Sequence, residues 1–412
     1  MSDAVDQISF AKPDVQLCPF GAYRELFGAG KRVHRDPLTT FWEVLGHDEL
    51  MKIVQNPALF SSEHMLYGEK THTPAYAEAK RMYEEQSFPF VPSLINADEP
   101  IHKRNRALVD VSFRPARVKA AEPYIRELVN LLIDRWGDVD QVEFMTSFAE
   151  LLPLYVIADT IGVPRERALD FKRWSDALIE VHDPAITADD QIRLTRVVIE
   201  MQLFFAEEYA RAKEASGENI LGDVARARID GEEVSAQLAI SIISGLLVAG
   251  NETTTSVLGS AMKRLIETPG LDDLLRANPA RIPNFIEEVL RLESPLPCQF
   301  RRNTEEVEIA GTIIPKDSLI VLRFGGANRD GERWENPDNF DIDRPKSRYH
   351  LAFGGGIHMC IGHLLARAEL RIAYEELLKR FGNFRMNGEA TAIPSYITYG
   401  PRRLPIAFDR VR

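Results

Sequence analysis

Apolar residues set the texture of this chain. From about residue 115 to 292 they recur at three- and four-residue intervals, as in 124–136 (YIRELVNLLIDRW), 149–163 (AELLPLYVIADTIGV) and 195–213 (TRVVIEMQLFFAEEYARAK). That period lays one apolar stripe along a helix and predicts a succession of amphipathic helices. Gly162-Val163-Pro164 and Asn278-Pro279 interrupt the pattern where helices should end. The run 238–250 is the most apolar of the chain and continues to Ile266, which predicts a long buried helix. It falls short of the ~20 residues that a membrane span requires, and Ser241 and Ser244 interrupt it. Elsewhere the runs are shorter. Those at 32–34 and 40–44 flank an Asp36-Pro37 turn, and 307–315 (VEIAGTIIP) and 318–324 (SLIVLRF) are bounded by Pro, Gly, Asn and Asp, so all four read as strands. The segment 88–100 (FPFVPSLINADEP) is apolar yet broken by proline, which suits a loop lying over a pocket. A last helix over 361–381 follows a glycine-rich loop. With no repeat and no low-complexity linker, residues 1–412 read as a single domain, mainly α with a minor β-rich part.

Composition narrows the function classes. Lys and Arg number 50 against 62 Asp and Glu, a net charge of −12, which excludes the basic footprint of a general nucleic-acid binder. Hydrophobic residues at 45% and charged ones at 27% are ordinary for a soluble globular protein. Cys18, Cys298 and Cys360 are too few and too scattered for a disulfide scaffold or a zinc site, which points to a reducing compartment. The opening MSDAVDQISFAKPD has no apolar core, so it reads as neither a signal peptide nor a membrane anchor. The expectation is a cytoplasmic protein that meets no membrane.

Three stretches carry chemistry. The first is 353–362 (FGGGIHMCIG). A lone cysteine is usually a small buried hydrophobe. Here three glycines precede Cys360 and let the backbone approach a flat group closely, and the helix that follows offers free amides and a dipole that favour thiolate over thiol. The second is Glu288-Val289-Leu290-Arg291. On a surface such a pair adds a few tenths of a kcal/mol, but Phe285, Ile286, Val289 and Leu290 make this helix apolar, and buried charges need partners. The third is Ala249-Gly250-Asn251-Glu252-Thr253-Thr254 inside the long helix. The threonines are poor helix formers, so the segment is either a weak spot or a place where hydroxyl and carboxylate act.

Phe353, Gly356, His358, Cys360 and Gly362, with Ala366 and Arg367 beyond them, resemble the signature loop of the cytochrome P450 family. The other two stretches fall in the family's order, and together the matches run from residue 98 to 367. The resemblance implies the cytochrome P450 fold, with haem between a long central helix and the helix of the cysteine loop. It makes the Cys360 thiolate the axial ligand of haem b (iron protoporphyrin IX), where it pushes electron density that promotes O–O cleavage. Glu288, Arg291 and Arg344, the last reached through Trp334-Glu335-Asn336-Pro337 and Phe340, become structural supports of the cysteine loop. Glu252 and Thr253 become the catalytic relay that brings protons to dioxygen, with Glu where many relatives carry Asp. His102, Arg106, Arg302 and His358 become contacts to the haem propionates, with Arg302 ranked above its neighbour Arg301 by counting back from Thr304. By analogy the substrate pocket takes Phe90, Val91, Leu94, Gly245, Val248, Ala249, Leu296 and Pro297.

The implied function is a haem-thiolate monooxygenase, inserting one oxygen atom from O2 into a hydrophobic small molecule such as a terpenoid, steroid, fatty acid or aromatic. Electrons would come from NAD(P)H through a separate ferredoxin reductase and ferredoxin, and the protein is expected to be a monomer. Lys103, Arg104, Arg106, Arg114, Arg117 and Lys119, against Asp110, form a basic stretch in an acidic protein. It reads either as a solvated face or as a surface that steers an acidic ferredoxin. A haem-thiolate peroxygenase or nitric-oxide reductase is the alternative of the same class, and a non-catalytic haem sensor or ligand-binding protein the alternative of another.

Overall fold

The computed structural model describes residues 2–63, 74–181, 186–215 and 217–411. Internal packing gathers the chain into two compact units. The larger comprises Met1–Ser61, Ala121–Leu152 and Thr253–Arg412, and the smaller Ser62–Ala120 and Pro153–Glu252.

In the larger unit a five-stranded sheet follows the order Val33–Arg35, Trp42–Val44, Leu319–Leu322, Gln299–Asn303, Phe60–Ser61. The first two strands and the third are the expected runs; the fourth, from Gln299, carries two arginines and shows no apolar alternation. Alternate residues of the Leu319–Leu322 strand serve opposite faces. Ile320 and Leu322 join Val44, Leu50, Ile53 and Phe324 in one core cluster. Val321 turns to Phe10, Tyr23, Leu26 and Tyr396 in another. The second cluster also buries charge. Glu43 accepts from Arg323 Nε at 2.6 Å and Nη2 at 3.2 Å and from the Tyr396 hydroxyl at 2.6 Å, while the guanidinium lies 4.0 Å from the Phe10 ring and 4.3 Å from that of Tyr396. Helices Ile282–Glu293 and His363–Arg380 pack through Phe285 on Tyr374, with ring centroids 5.4 Å apart, and the Tyr374 hydroxyl donates to the Leu258 carbonyl at 2.6 Å. A three-stranded sheet of Phe381–Met386, Pro405–Arg410 and Gln141–Glu143 closes the C-terminus over Trp136.

The smaller unit is helical, built from Pro74–Gln86, Ile101–Ala107, Ala168–Glu180, Ala188–Glu214 and Ile220–Arg226. Phe171, Trp174, Phe204 and Phe205 interlock between the third and fourth of these. The expected long helix runs unbroken over Ala236–Glu267 and passes from the smaller unit into the larger at Glu252–Thr253. Gly250 gives Ile157 room beside the helix, since a Cβ there would stand 2.9 Å from the end of that side chain and make it shift. The breaks at Gly162 and Asn278 fall where helices Leu151–Ile161 and Leu271–Ala277 end.

Candidate active site

The cysteine loop is a chain of tight turns. Gly354 N–H donates to the Leu351 carbonyl at 2.9 Å, Met359 N–H to that of Gly356 at 3.2 Å, and Cys360 N–H to that of Phe353 at 2.9 Å. Gly354 and Gly356 adopt φ of +68° and +65°, the left-handed region open to glycine. The glycines serve the protein as well as any ligand. A Cβ on Gly356 would lie 2.0 Å from the Val54 carbonyl oxygen, and one on Gly355 3.1 Å from the Val54 side chain, so the loop is seated on helix His47–Val54. The following helix begins at His363 rather than at 361, with Cys360 three residues ahead of it. The Cys360 side chain is half-buried and so remains reachable by a ligand, as do Ile357 and His358. A single soft sulfur in a fixed loop, close to a helix N-terminus, suits an iron whose other ligands belong to its own macrocycle.

Glu288, Arg291 and Arg344 come together. Arg291 grips Glu288 with Nε at 2.9 Å and Nη2 at 2.7 Å, and both side chains are fully buried. Arg344 Nε reaches the same carboxylate at 2.9 Å. The remaining guanidinium hydrogens go to main-chain carbonyls: Asn328, Pro337 and Asn339 for Arg291, and Glu335, Asn336 and Asn339 for Arg344. Asn328, which nothing in the sequence singled out, carries the connection onward. Its amide donates to Ser294 Oγ at 2.9 Å, and its side-chain oxygen accepts Leu351 N–H at 2.6 Å, at the entrance of the cysteine loop.

In strand Gln299–Asn303, alternate side chains face opposite ways, and the two neighbouring arginines separate. Arg301 is buried, 5% exposed, whereas Arg302 is only half-buried and donates to the Asp317 carbonyl at 3.0 Å. Arg301 is thus the more buried of the two.

In the smaller unit, His102 is buried in helix Ile101–Ala107 with Nδ1 3.5 Å from Glu99 Oε1, and burial lowers its pKa. Arg106, one turn on, has Nε 3.4 Å from Asp110. Asn105 between them donates to the Pro92 and Ser93 carbonyls at 3.3 and 2.9 Å and so ties down the 88–100 loop. Val91 N–H meets Ser241 Oγ at 3.3 Å, and Gln237 reaches the Pro89 carbonyl at 2.8 Å, which fixes the loop to the start of the central helix. Phe90, Val91 and Leu94 are half-buried there. Along the same helix, Gly245 and Ala249 are exposed and Val248 half-exposed amid otherwise buried residues, and nothing lies within 4 Å of a Cβ placed on Gly245. Leu296 is half-buried in the larger unit, while Pro297 is buried and its carbonyl accepts Gly325 N–H at 3.1 Å.

Glu252 is nearly buried, with Oε1 3.1 Å from Asn251 Nδ2 and 3.5 Å from Lys172 Nζ, and that ammonium also meets Asp176 at 2.5 Å. Lys172 escaped sequence reasoning because it is eighty residues distant on another helix. The three threonines differ. Thr253 is half-buried, Thr254 is buried, and Thr255 is buried with its hydroxyl on the Ala149 carbonyl at 3.1 Å. In the basic stretch, Lys103, Arg104 and Arg114 are exposed, whereas Arg117 is taken up by the Glu218 carbonyl at 3.1 Å and by Asp223 at 3.9 Å. No helix of the described residues is long and apolar enough to cross a membrane.

Comparison with known proteins identifies the family. A family model described as Cytochrome P450 matches residues 214–395. Cytochrome P450 107B1 of Saccharopolyspora erythraea is 35% identical, over 76% of this chain and 77% of its own length. 6-Deoxyerythronolide B hydroxylase of the same organism is 33% identical, over 89% of this chain and 90% of its own. Cytochrome P450 CYP109Q5 from Chondromyces apiculatus, a solved structure, aligns with a TM-score of 0.85 at 31% identity and 99% coverage of both chains. The chain therefore belongs to the cytochrome P450 family, and it is a haem-dependent monooxygenase that uses dioxygen.

Proposed function

We propose that Cys360 is the axial ligand, that His102, Arg106, Arg301 and His358 receive the haem propionates, and that Glu252 and Thr253 bring protons to the oxygen side. The observation that carries this reading is the thiol of Cys360, left half-buried in a loop that carries three backbone hydrogen bonds and is seated on Val54. Arg301 replaces Arg302 because its guanidinium is buried, where a cation gains most from a carboxylate partner. When bound, the haem supplies the redox chemistry that cleaves O2. The protein's part is to hold the sulfur as thiolate, to neutralise the porphyrin edge, to exclude water with an apolar surface, and to deliver protons. Thr253 suits the last step because its hydroxyl can both accept and donate, and Glu252 can recharge it while Lys172 and Asn251 hold the carboxylate in place.

The substrate we infer is a hydrophobic small molecule of the terpenoid, steroid, fatty-acid or aromatic kind. Gly245, Val248 and Ala249 on the central helix and Phe90, Val91 and Leu94 on the loop would form an apolar lining, and one relative is a hydroxylase by name. Electrons would come from NAD(P)H through a ferredoxin reductase and an acidic ferredoxin attracted to Lys103, Arg104 and Arg114. The test has two arms. The reduced protein under carbon monoxide should absorb at the long wavelength peculiar to sulfur-ligated iron, and NAD(P)H with a ferredoxin pair should drive O2-derived hydroxylation of a ligand that raises the iron spin state. Absence of the band in freshly prepared, haem-replete protein would overturn the ligand assignment. Turnover driven by peroxide but never by electrons would make the protein a peroxygenase.

A further inference from the structure

Glu287 precedes Glu288 in the same helix, and successive helical positions project about 100° apart, so the two carboxylates leave in different directions. Glu288 turns to Arg291 and Arg344. Glu287 turns to the C-terminal helix, where Arg367 grips it with Nε 2.6 Å from one oxygen and Nη2 2.9 Å from the other. The second oxygen also stands 3.2 Å from His350 Nε2. On the far side of that imidazole, Nδ1 accepts Ala352 N–H at 3.1 Å, which assigns the proton to Nε2, facing the carboxylate.

All of these groups surround one ring. The Arg367 guanidinium lies 4.4 Å from the centre of Phe353, and the rings of His350 and His363 are 5.8 and 6.1 Å from it. Arg367 Nη1 is 2.8 Å from His363 Nδ1, so the arginine also ties the start of the C-terminal helix to the same box. The carbonyl of Phe353 in turn accepts the Cys360 N–H. A loop that opens with three glycines has wide backbone freedom of its own, so its order must come from outside. Glu287 is the only member of this box that touches both Arg367 and His350 through a charged group, and it stands on a helix already anchored by Glu288.

We propose that Glu287 is a positioning residue for the iron ligand: through Arg367 and His350 it clamps Phe353, and through the Phe353 carbonyl it holds Cys360 where its sulfur can bind as thiolate. The proposal rests on the haem-thiolate reading above. Removing the carboxylate leaves Arg367 without its anionic partner, held by His363 and the aromatic ring, and His350 N–H without its acceptor, and the loop gains the motion that glycine permits.

The test compares parent, Glu287→Asp, Glu287→Gln and Glu287→Ala as purified holoenzymes. In the ferrous carbon monoxide complex, the sulfur-ligated band of the Gln and Ala variants should convert to the short-wavelength form about tenfold faster or more, with Asp between them and the parent. Hydrogen exchange at the Cys360 amide should accelerate in step, and the haem reduction potential should move. Glu43→Gln, which disturbs a buried pair outside the box, serves as a control that lowers the thermal midpoint and leaves the conversion rate and the Cys360 amide unchanged. If Glu287→Ala does not fold, Glu287→Gln carries the test, being of the same shape. A Glu287→Gln protein with the parent's conversion rate, potential and Cys360 exchange overturns the proposal. A parent that lacks the long-wavelength band overturns the haem-thiolate reading instead, and amide exchange at Cys360 in the variants still decides the clamp.

Discussion

Gly354 and Gly356 share a left-handed backbone but not their surroundings, and that contrast gives a sharp test of how the cysteine loop is held. A Cβ on Gly354 would meet nothing nearer than the Phe324 ring at 3.8 Å, an ordinary contact. A Cβ on Gly356 would lie 2.0 Å from the Val54 carbonyl oxygen and 2.8 Å from its carbon, both backbone atoms that cannot swing aside. Left-handed backbone costs any L side chain about 1–2 kcal/mol, a term common to both alanine variants. Carbon and oxygen rest comfortably at about 3.3 Å or more, so Gly356→Ala also demands a separation larger by about 1.3 Å. Strain of that kind in a packed site adds about 1–3 kcal/mol. Gly354→Ala should therefore lose about 1–2 kcal/mol and Gly356→Ala about 2–5, and the extra ~1–3 kcal/mol changes loop order by about fivefold to 150-fold. The assay is haem content per protein and the fraction of long-wavelength carbon monoxide band, with the thermal midpoint alongside. Gly354→Ala should load haem close to the parent level, and Gly356→Ala should be depleted and shifted to the short-wavelength form. If the two variants behave alike, or Gly354→Ala is the worse, seating of the loop on Val54 is not what orders it.

Other outcomes follow from the same geometry. Glu288→Ala strands two buried guanidinium groups and should cost about 3–5 kcal/mol in urea unfolding, more than Glu288→Gln, which keeps acceptors in place. Arg301→Leu should lose haem to an acceptor globin several-fold faster than Arg302→Leu; equal rates would refute the inward role of Arg301. Lys172→Met should leave NAD(P)H consumption close to normal while lowering hydroxylated product per O2, because Glu252 loses one of its tethers; unchanged coupling would remove Lys172 from the relay. The Glu287 carboxyl is lowered from 4.5 to about 2, with burial opposing and the bonds from Arg367 and His350 prevailing. A depressed carboxyl stabilises the fold above its unfolded value and loses that contribution as pH falls from 4.5 towards 2, so at most about 3 kcal/mol should separate the acid sensitivity of parent and Glu287→Gln. Urea midpoints for the two that fall in parallel from pH 5 to 3 would refute it.

What the sequence makes legible is what its local pattern encodes. The long helix, the breaks at Gly162 and Asn278, the hairpin around Asp36 and the cysteine loop all rest on residues near one another in the chain. The fourth strand of the main sheet was not legible, because Gln299–Asn303 owes its place to pairing with Leu319–Leu322 and Phe60–Ser61 rather than to its own alternation. The same limit explains the arginines. Counting residues locates a pair at 301 and 302, but only strand register decides which one faces inward. Glycines in the loop read as room for a flat ligand, whereas Gly356 also makes room for a helix three hundred residues earlier. Lys172, Asn328 and His350 carried no signal at all, since each acquires its role through a partner that is remote in sequence.

The two adjacent glutamates explain how so permissive a loop can hold one geometry. A glycine-rich segment has a large conformational entropy to lose, and three backbone hydrogen bonds offset little of it. Helix Ile282–Glu293 has the opposite character: nearly every residue from Phe285 to Glu293 is buried, so it moves only if the core does. Glu288 fastens to it the 335–341 segment and, through Arg291 and Asn328, the entrance of the loop at Leu351. Glu287 fastens His350 and Arg367, which bracket the loop on both sides of Cys360. The loop is thus held at entry and exit by one rigid helix, and the glycines are left free to follow the shapes of Val54 on one side and of the bound cofactor on the other. A chain that keeps only Glu287 loses the attachment at Leu351, and one that keeps only Glu288 loses those at His350 and Arg367, so the double variant Glu287→Gln, Glu288→Gln should lose less than the sum of the two singles in haem retention, because a loop freed of one set has already surrendered most of its order. Additive losses would mean that the two carboxylates act on separate structures and that no common clamp exists.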